Sequence, residues 1–336
     1  MNRIFTPIMA LALLTLAIPC AALEIGAWVG GPVNDLSPQP TLENVDAFQA
    51  MQERKLDYVS LFVLWDANDW AWTQPYAEVA QNNGSKLLIT WMANGYNLDA
   101  INAGTADSYL RQYASDLKSY GKEVWLRPLH EANGDWYDWG IGKTGTSNTN
   151  AKCIEAWKHI VQIFRDSSVS NVKWVWTTNA TNSGTGTSIM GAYPGDDWVD
   201  YNSIDGYNWG TAQSWSTWKT FSQVFASPYA LLATHSKPIF IAEFSSSEHG
   251  GDKAAWIRDM FAVLPTQFPK LFALMWFSQS KSIEADWAVN TTDASLAAWK
   301  EGIALAPVSV LRNAKTLHIT HHYSHPPVNL LGQSVH

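Results

Sequence analysis

YVSLFVLWDANDWAWTQPYAEVAQNNGSKLLITWM (58–92) contains two runs, YVSLFVLW (58–65) and KLLITWM (86–92), that are apolar almost throughout, joined by a segment of mixed polarity. A strand with one face in water alternates apolar and polar residues. A continuous apolar run belongs to a parallel strand buried on both faces. Parallel neighbours need a crossover between them, usually a helix. The same unit recurs in both directions along the chain. Further runs are IGAW (25–28), EVWLRPL (123–129), VKWVWTT (172–178), SIDGYNW (203–209), PIFIAEF (238–244) and LFALMWF (271–277). Eight such runs with helical stretches between them predict an α/β chain folded as a single (β/α)8 TIM barrel over residues 23–306. A doubly wound open sheet would carry a glycine-rich phosphate loop after its first strand, and GGPVND (30–35) is not one.

The segments between the runs carry helical stripes. Leu42, Val45, Phe48 and Met51 share a face behind Thr41, a good N-cap. Tyr109, Tyr113, Leu117 and Tyr120 form a second stripe that Gly121 ends, and Ile154, Trp157, Val161 and Phe164 a third. Ile257, Met260, Phe261 and Leu264 form a fourth, predicted to stop at Pro265.

Both ends of the chain depart from this pattern. Arg3, the apolar stretch Ile4–Pro19 and Cys20-Ala21-Ala22 have the three parts of a signal peptide, predicted as residues 1–22. Secretion, to the periplasm or beyond the cell, is the expectation, with no membrane attachment after cleavage. Cys153 is then the one cysteine left, so neither an intramolecular disulfide nor a cysteine metal site is expected. Residues 307–336 have no helical stripe, carry His318, His321, His322 and His325, and are expected to form a disordered tail rather than a metal grip. The formal net charge of −8 argues against nucleic acid, and no basic amphipathic stretch suggests a membrane surface.

The chain has 19 tryptophans among its 336 residues, more than a core readily accommodates, because each indole N–H needs a partner when buried. Trp125, Trp174 and Trp176 inside strands, and Trp157 and Trp256 on helices, are expected to be packing. The remainder suggest a cleft offering flat apolar faces to an uncharged ligand, as pyranose rings require. In a barrel, functional groups gather at the C-terminal ends of the strands. Read in order, those ends are Trp28, Trp65-Asp66, Trp91, His130-Glu131, Asn179, Tyr207-Asn208-Trp209, Glu243 and Trp276. Two glutamates thus face one cavity from the fourth and seventh strands. A protonated carboxyl that gives its proton to a leaving oxygen, opposite an ionised one, suits glycosidic cleavage. The two must hold different pKa values. Burial beside His130 and Trp136 would keep Glu131 neutral, while Arg127 and Tyr207 are the donors that would keep Glu243 charged.

In WLRPLHEANGDWYDWG (125–140) the chain resembles glycoside hydrolase family 26. Arg127, Pro128, His130 and Glu131 match that family's Arg-Pro-x-His-Glu run, and Gly134 and Trp136 match its Gly-x-Trp. Tyr207 in IDGYNW matches the strand-six tyrosine, Glu243 in KPIFIAEF the nucleophile segment, and Trp276 in ALMWFSQS the strand-eight aromatic. The resemblance spans residues 24–303. It implies a retaining endo-β-glycanase with Glu131 as acid/base, Glu243 as nucleophile, and no cofactor or metal. His130, Arg127 and Tyr207 would orient Glu243 and the reacting sugar. Trp136, Trp209, Trp276 and Trp139 would stack on sugar rings, with Trp91, Trp28 and Trp65 as further platforms. Most members are endo-β-1,4-mannanases, and smaller groups cleave β-1,3-1,4-glucan or β-1,3-xylan. Many of the mannanases read Thr-Gly-Ser-Trp-Phe-Trp-Trp after the acid, where this chain has Asp135 in place of the Ser and Asp138 in place of an aromatic. The expectation is a monomeric mannanase on mannan, glucomannan or galactomannan. Mixed-linkage glucan and β-1,3-xylan are the alternatives within the class. A non-catalytic carbohydrate-binding barrel is the alternative outside it.

Overall fold

A computed structural model describes residues 23–30, 41–281 and 284–305. The expected signal peptide, GGPVND after Gly30, and the His-rich tail lie outside the described residues. Eight parallel strands close into a barrel in sequence order. They are β1 (Glu24–Trp28), β2 (Tyr58–Leu64), β3 (Lys86–Met92), β4 (Val124–Pro128), β5 (Val172–Asn179), β6 (Tyr201–Asn208), β7 (Ile239–Ser246) and β8 (Leu271–Phe277). Closure comes from β1 lying along β8, with Glu24 opposite Ala273 and Trp28 opposite Phe277. The helices between strands are α1 (Leu42–Gln52), α2 (Trp70–Asn83), α3 (Leu98–Asn102), α4 (Asp107–Tyr120), α5 (Asn150–Asp166), α6 (Phe221–Leu232) and α7 (Lys253–Gln267), and α8 (Asp293–Leu305) follows β8; β5 and β6 are joined without an α-helix, by a connection that carries a 3-10 turn at Asp196–Trp198. All eight predicted strands are present, within two residues at either end.

Local chemistry sets the helix ends. Thr41 accepts from the Asn44 N–H at the start of α1, and Gly121 takes a φ of 70° to close α4. Pro265 does not stop its helix: α7 runs to Gln267. The proline sits in the last turn, so its missing N–H withdraws a single bond, the one the Phe261 carbonyl would accept.

Two apolar layers result. Between strands and helices lies the larger core, which takes Trp157, Trp174, Trp176 and Trp256. Inside the barrel, Tyr58, Leu88, Trp125, Val175, Phe240, Ala242, Ala273 and Met275 form a second cluster. Trp125 stacks on Tyr201 at 3.9 Å between ring centroids. Cys153 is buried and unpaired on α5.

One irregularity decides the site. Along β7, Phe240 and Ala242 face the barrel interior. Strict alternation would then send Glu243 outward to the helices. Instead the register against β6 slips between Ile204 and Asp205, so that Ile204 lies opposite Ile241 but Asp205 opposite Glu243. The extra residue turns Glu243 inward, and Phe244 joins the outer core.

Candidate active site

The acid candidate is carried by a strained corner. Just past β4, Leu129 and Glu131 adopt φ of 49° and 53°, a region that residues with side chains rarely occupy. The Glu131 N–H is pinned to the Thr177 carbonyl of β5 at 3.1 Å. Asn133 splices the two strand ends: its Oδ1 accepts from the Asn179 N–H at 2.8 Å, and its Nδ2 donates to the Asn179 carbonyl at 2.9 Å. Asn179, so fixed, donates its side-chain amide to Glu131 Oε1 at 2.7 Å. Trp136 donates its indole N–H to Oε2 at 2.8 Å. It folds back over Gly134, where a Cβ would lie 2.5 Å from the ring. Glu131 is buried, and burial together with the Glu243 charge pushes its pKa up to about 7. It is therefore a carboxyl that holds its proton in mildly acidic solution.

Glu243 is held by donors. Arg127 reaches Oε1 through an ion pair, and Tyr207 donates its hydroxyl to Oε2 at 2.8 Å. Burial, reinforced by the Glu243 charge, keeps the Tyr207 hydroxyl protonated and so a donor. Arg127 is fully buried, and its other terminal nitrogen pairs with Asp205 Oδ2 at 2.5 Å. Its Nε donates to Thr90 at 3.1 Å. Burial opposes its charge, but Asp205 and Glu243 together raise its pKa. Asp205 is itself fully buried; burial pushes its pKa well up, and its Oδ1 has no hydrogen-bond partner among the described residues.

His130 is buried, and burial and the Arg127 charge keep it neutral. Its Nε2 meets the Tyr137 hydroxyl at 3.0 Å, so its recorded contact is with the loop and not with Glu243.

Of the predicted platforms, the structure leaves two facing outward. Trp136 is 41% exposed, and Trp209 is half-buried at the rim beyond β6. Trp139 is fully buried beneath Tyr137, which stacks on it at 4.4 Å, and it donates to the His130 carbonyl. Trp91 and Trp276 point into the helix layer. Trp91 packs on Tyr113 and donates to the Tyr109 hydroxyl at 3.1 Å. Trp276 packs on Phe244 and Trp299 and donates to the Trp287 carbonyl at 2.8 Å. The residue that β8 turns into the barrel mouth is the next one, Phe277, whose ring lies 6.0 Å from that of Tyr207. Trp28 and Trp65 are also buried.

Sequence reasoning gave no role to Asp205, Thr90, Asn133 or Asn179, and it did not single out Trp215 or Trp287. For Asp205 a signal was present: it stands two residues before Tyr207 on the same strand, hence on the same face.

Residues 67–257 match the family model described as Glycosyl hydrolase family 26. Endoglucanase H of Acetivibrio thermocellus is 50% identical over 284 residues, which is 84% of this chain and 30% of that protein. A mannan endo-1,4-beta-mannosidase of Bacillus subtilis is 30% identical over 192 residues, 54% of this chain and 46% of that one. The chain thus spans less than half the length of either relative. Among solved structures, the β-mannanase from a symbiotic protist of the termite Reticulitermes speratus, complexed with gluco-manno-oligosaccharide, superposes with a TM-score of 0.57 at 19% identity. The match covers 86% of this chain and 88% of that one. The catalytic domain of a Bacillus sp. JAMB-750 endo-beta-1,4-mannanase gives a TM-score of 0.62 at 16% identity, covering 84% and 86%. At these identities the likeness is one of fold.

Proposed function

The chain belongs to glycosyl hydrolase family 26, and from that premise we propose that it is a retaining endo-β-glycanase acting on plant cell-wall polysaccharide. The observation that carries the reading is a pair of inward carboxyl groups at the barrel mouth in different settings. Glu131 has its pKa raised to about 7, and Glu243 receives an ion pair from Arg127 and a hydroxyl from Tyr207. In the first step Glu131 gives its proton to the glycosidic oxygen as that bond breaks, and Glu243 forms the new bond to the anomeric carbon. In the second, the Glu131 carboxylate takes a proton from water, the water oxygen bonds to the anomeric carbon, and Glu243 leaves. Tyr207 and Arg127 hold the attacking oxygens in place, and no step needs a cofactor.

The mannan reading is supported by relatives named mannan endo-1,4-beta-mannosidase, at 26–34% identity over parts of the chain. A second reading, β-glucan, is supported by a relative with greater identity over more of the chain, which is named an endoglucanase. It is also supported by Asp138, which stands where many mannanases have an aromatic. Its carboxylate accepts from the Gly95 N–H at 2.8 Å and so ties the β4 loop to the β3 loop. No helix among the described residues is long and apolar enough to cross a membrane. Export after cleavage near Ala22 is proposed on the N-terminal sequence alone.

Proton NMR of the first products from glucomannan, linear mannan, lichenan and barley β-glucan tests the reaction. The expected result is a β-anomer appearing before mutarotation; an α-anomer would mean inversion and would overturn the double displacement. Glu243→Ala should keep the thermal unfolding temperature and lose hydrolysis on every polymer. More than a trace of residual activity would remove Glu243 as the nucleophile. The polymer that releases reducing ends decides between the two backbones.

A further inference from the structure

Two tryptophans among the described residues are exposed, and the site already uses one of them, Trp136. The other, Trp215, is 68% exposed on the loop after β6, and no contact of the mechanism explains it. Its surroundings are ordered. The Thr211 N–H bonds to the His249 carbonyl at 2.9 Å, and the Ala212 N–H to the Trp209 carbonyl at 3.1 Å. Ser216 donates its hydroxyl to the Gly210 carbonyl at 2.7 Å, and its backbone N–H bonds to the Gln213 carbonyl at 3.1 Å. Gly210 has a φ of 56°, and a Cβ there would lie 1.8 Å from the His249 carbonyl oxygen, so the loop is pressed against its neighbour. The indole is therefore presented to water by a pinned backbone.

It is also the outer rung of an aromatic ladder. Tyr207, whose hydroxyl holds Glu243, has its ring centroid 6.4 Å from that of Trp209. Trp209 is 5.1 Å from Trp215. Trp287 braces the middle of the ladder from the other side, 4.9 Å from Trp209 and 5.0 Å from Tyr207. A chain of aromatic rings, tilted 58–61° from one to the next, thus runs from Tyr207 out to the rim, where the Trp215 indole is exposed. A large apolar face kept in water on a rigid support marks a binding surface rather than a core. A neutral, flat partner with an apolar face suits it, which is a pyranose ring.

We propose that Trp215 is a sugar platform for a subsite remote from the bond being cleaved, so that it acts on long chains and not on short ones. This rests on the proposed glycanase reading. The test is the full chain with Trp215→Ala and Trp215→Phe. Substrates are a mannan hexasaccharide and a mixed-linkage glucan hexasaccharide, the matching trisaccharides, and both polymers. For Trp215→Ala, KM on hexasaccharide and polymer should rise about tenfold, the worth of one aromatic contact, with kcat unchanged. Trisaccharide kinetics should not move, and Trp215→Phe should recover most of the loss. An unchanged hexasaccharide KM overturns the proposal. So does an equal loss on tri- and hexasaccharide, which would mean that Trp215 acts through Trp209 on the reacting centre. Affinity electrophoresis in gels containing each polysaccharide separates this idea from the glycanase reading. If the unmutated chain cleaves nothing but is retarded, and Trp215→Ala is not, the platform stands and the glycanase reading falls. If neither is retarded, the platform falls.

Discussion

Asn179→Ala removes the donor that holds Glu131 Oε1 at 2.7 Å while leaving the carboxyl where the β4 corner puts it. The amide N–H stabilises the ionised form, so its loss must raise the Glu131 pKa above its present value of about 7. A hydrogen bond to a charged group contributes about 1.5–3 kcal/mol, and one pKa unit corresponds to about 1.36 kcal/mol. The bare shift is therefore about one to two units. Water entering the space left by the amide restores part of the lost bond, so a rise of about one unit is expected. In the proposed mechanism Glu131 must be protonated to act, so kcat/KM of the parent should fall as pH rises through about 7. At pH 8 a group of that pKa is about one-tenth protonated, whereas the variant would be about half protonated. Relative to its own plateau, the variant should retain about fivefold more activity at pH 8. The assay is kcat/KM against pH on a soluble polymer at fixed ionic strength. A basic limb that stays in place or moves down would refute the argument, since either Glu131 does not set that limb or Asn179 does not hold its charge.

Arg127→Met should destabilise the fold by about 3–5 kcal/mol, because the buried carboxyl groups of Asp205 and Glu243 both lose the guanidinium donor they share. Urea titration reads this directly, and a loss below about 1 kcal/mol would contradict the central role given to the guanidinium. Gly142→Ala puts a Cβ 2.1 Å from the Ser183 carbonyl, where the β4 loop crosses the β5 loop. It should cost about 1–3 kcal/mol and lower kcat/KM as well, since the same crossing carries the Ser183-to-Asn133 bond that fixes the acid's support. Normal stability with normal kinetics would show that the crossing bears no strain.

The barrel was legible because its strands are buried on both faces and so read as unbroken apolar runs. The same property hid which side chains line the cleft. On β8, Ala273 and Met275 join the interior cluster and Phe277 shares their parity, while Leu274 and Trp276 face outward. Both sets are apolar, so nothing in the alternation distinguishes them. Nothing in the sequence therefore separates Trp276 and Trp91, which belong to the helix layer, from residues of the cleft. Where a strand carries a charge, the parity is readable. Arg127 on β4 marks the inward set, and with it Trp125; Asp205 and Tyr207 do the same on β6. Glu243 was placed by its position at a strand end and by its motif. Alternation from Phe240 would have sent it outward, because the register slip beside Ala242 has no sequence signal of its own. Trp215 lies in a loop, where no period applies.

Three carboxylates, Glu131, Asp205 and Glu243, share one buried cation, Arg127, while His130 beside them is held neutral and Tyr137 and Tyr207 are held protonated. One guanidinium cannot balance three anions in a medium of low dielectric. The donors are unequally shared. Glu243 has an ion pair and a hydroxyl, whereas Asp205 has only its share of Arg127 and one oxygen with no partner among the described residues. Burial and the two neighbouring carboxyl groups push the Asp205 carboxyl well up, and Asp205→Asn, which keeps its size without a charge, tests whether it is neutral at the working pH. The expected result is kcat/KM within about tenfold of the parent and a basic limb still near the Glu131 value of about 7. If Asp205 is ionised instead, removing its charge relieves repulsion on Glu131, and the limb moves down by a measurable fraction of a unit. That shift would make Asp205 an ionised partner of Arg127 and overturn the proton assigned to it here.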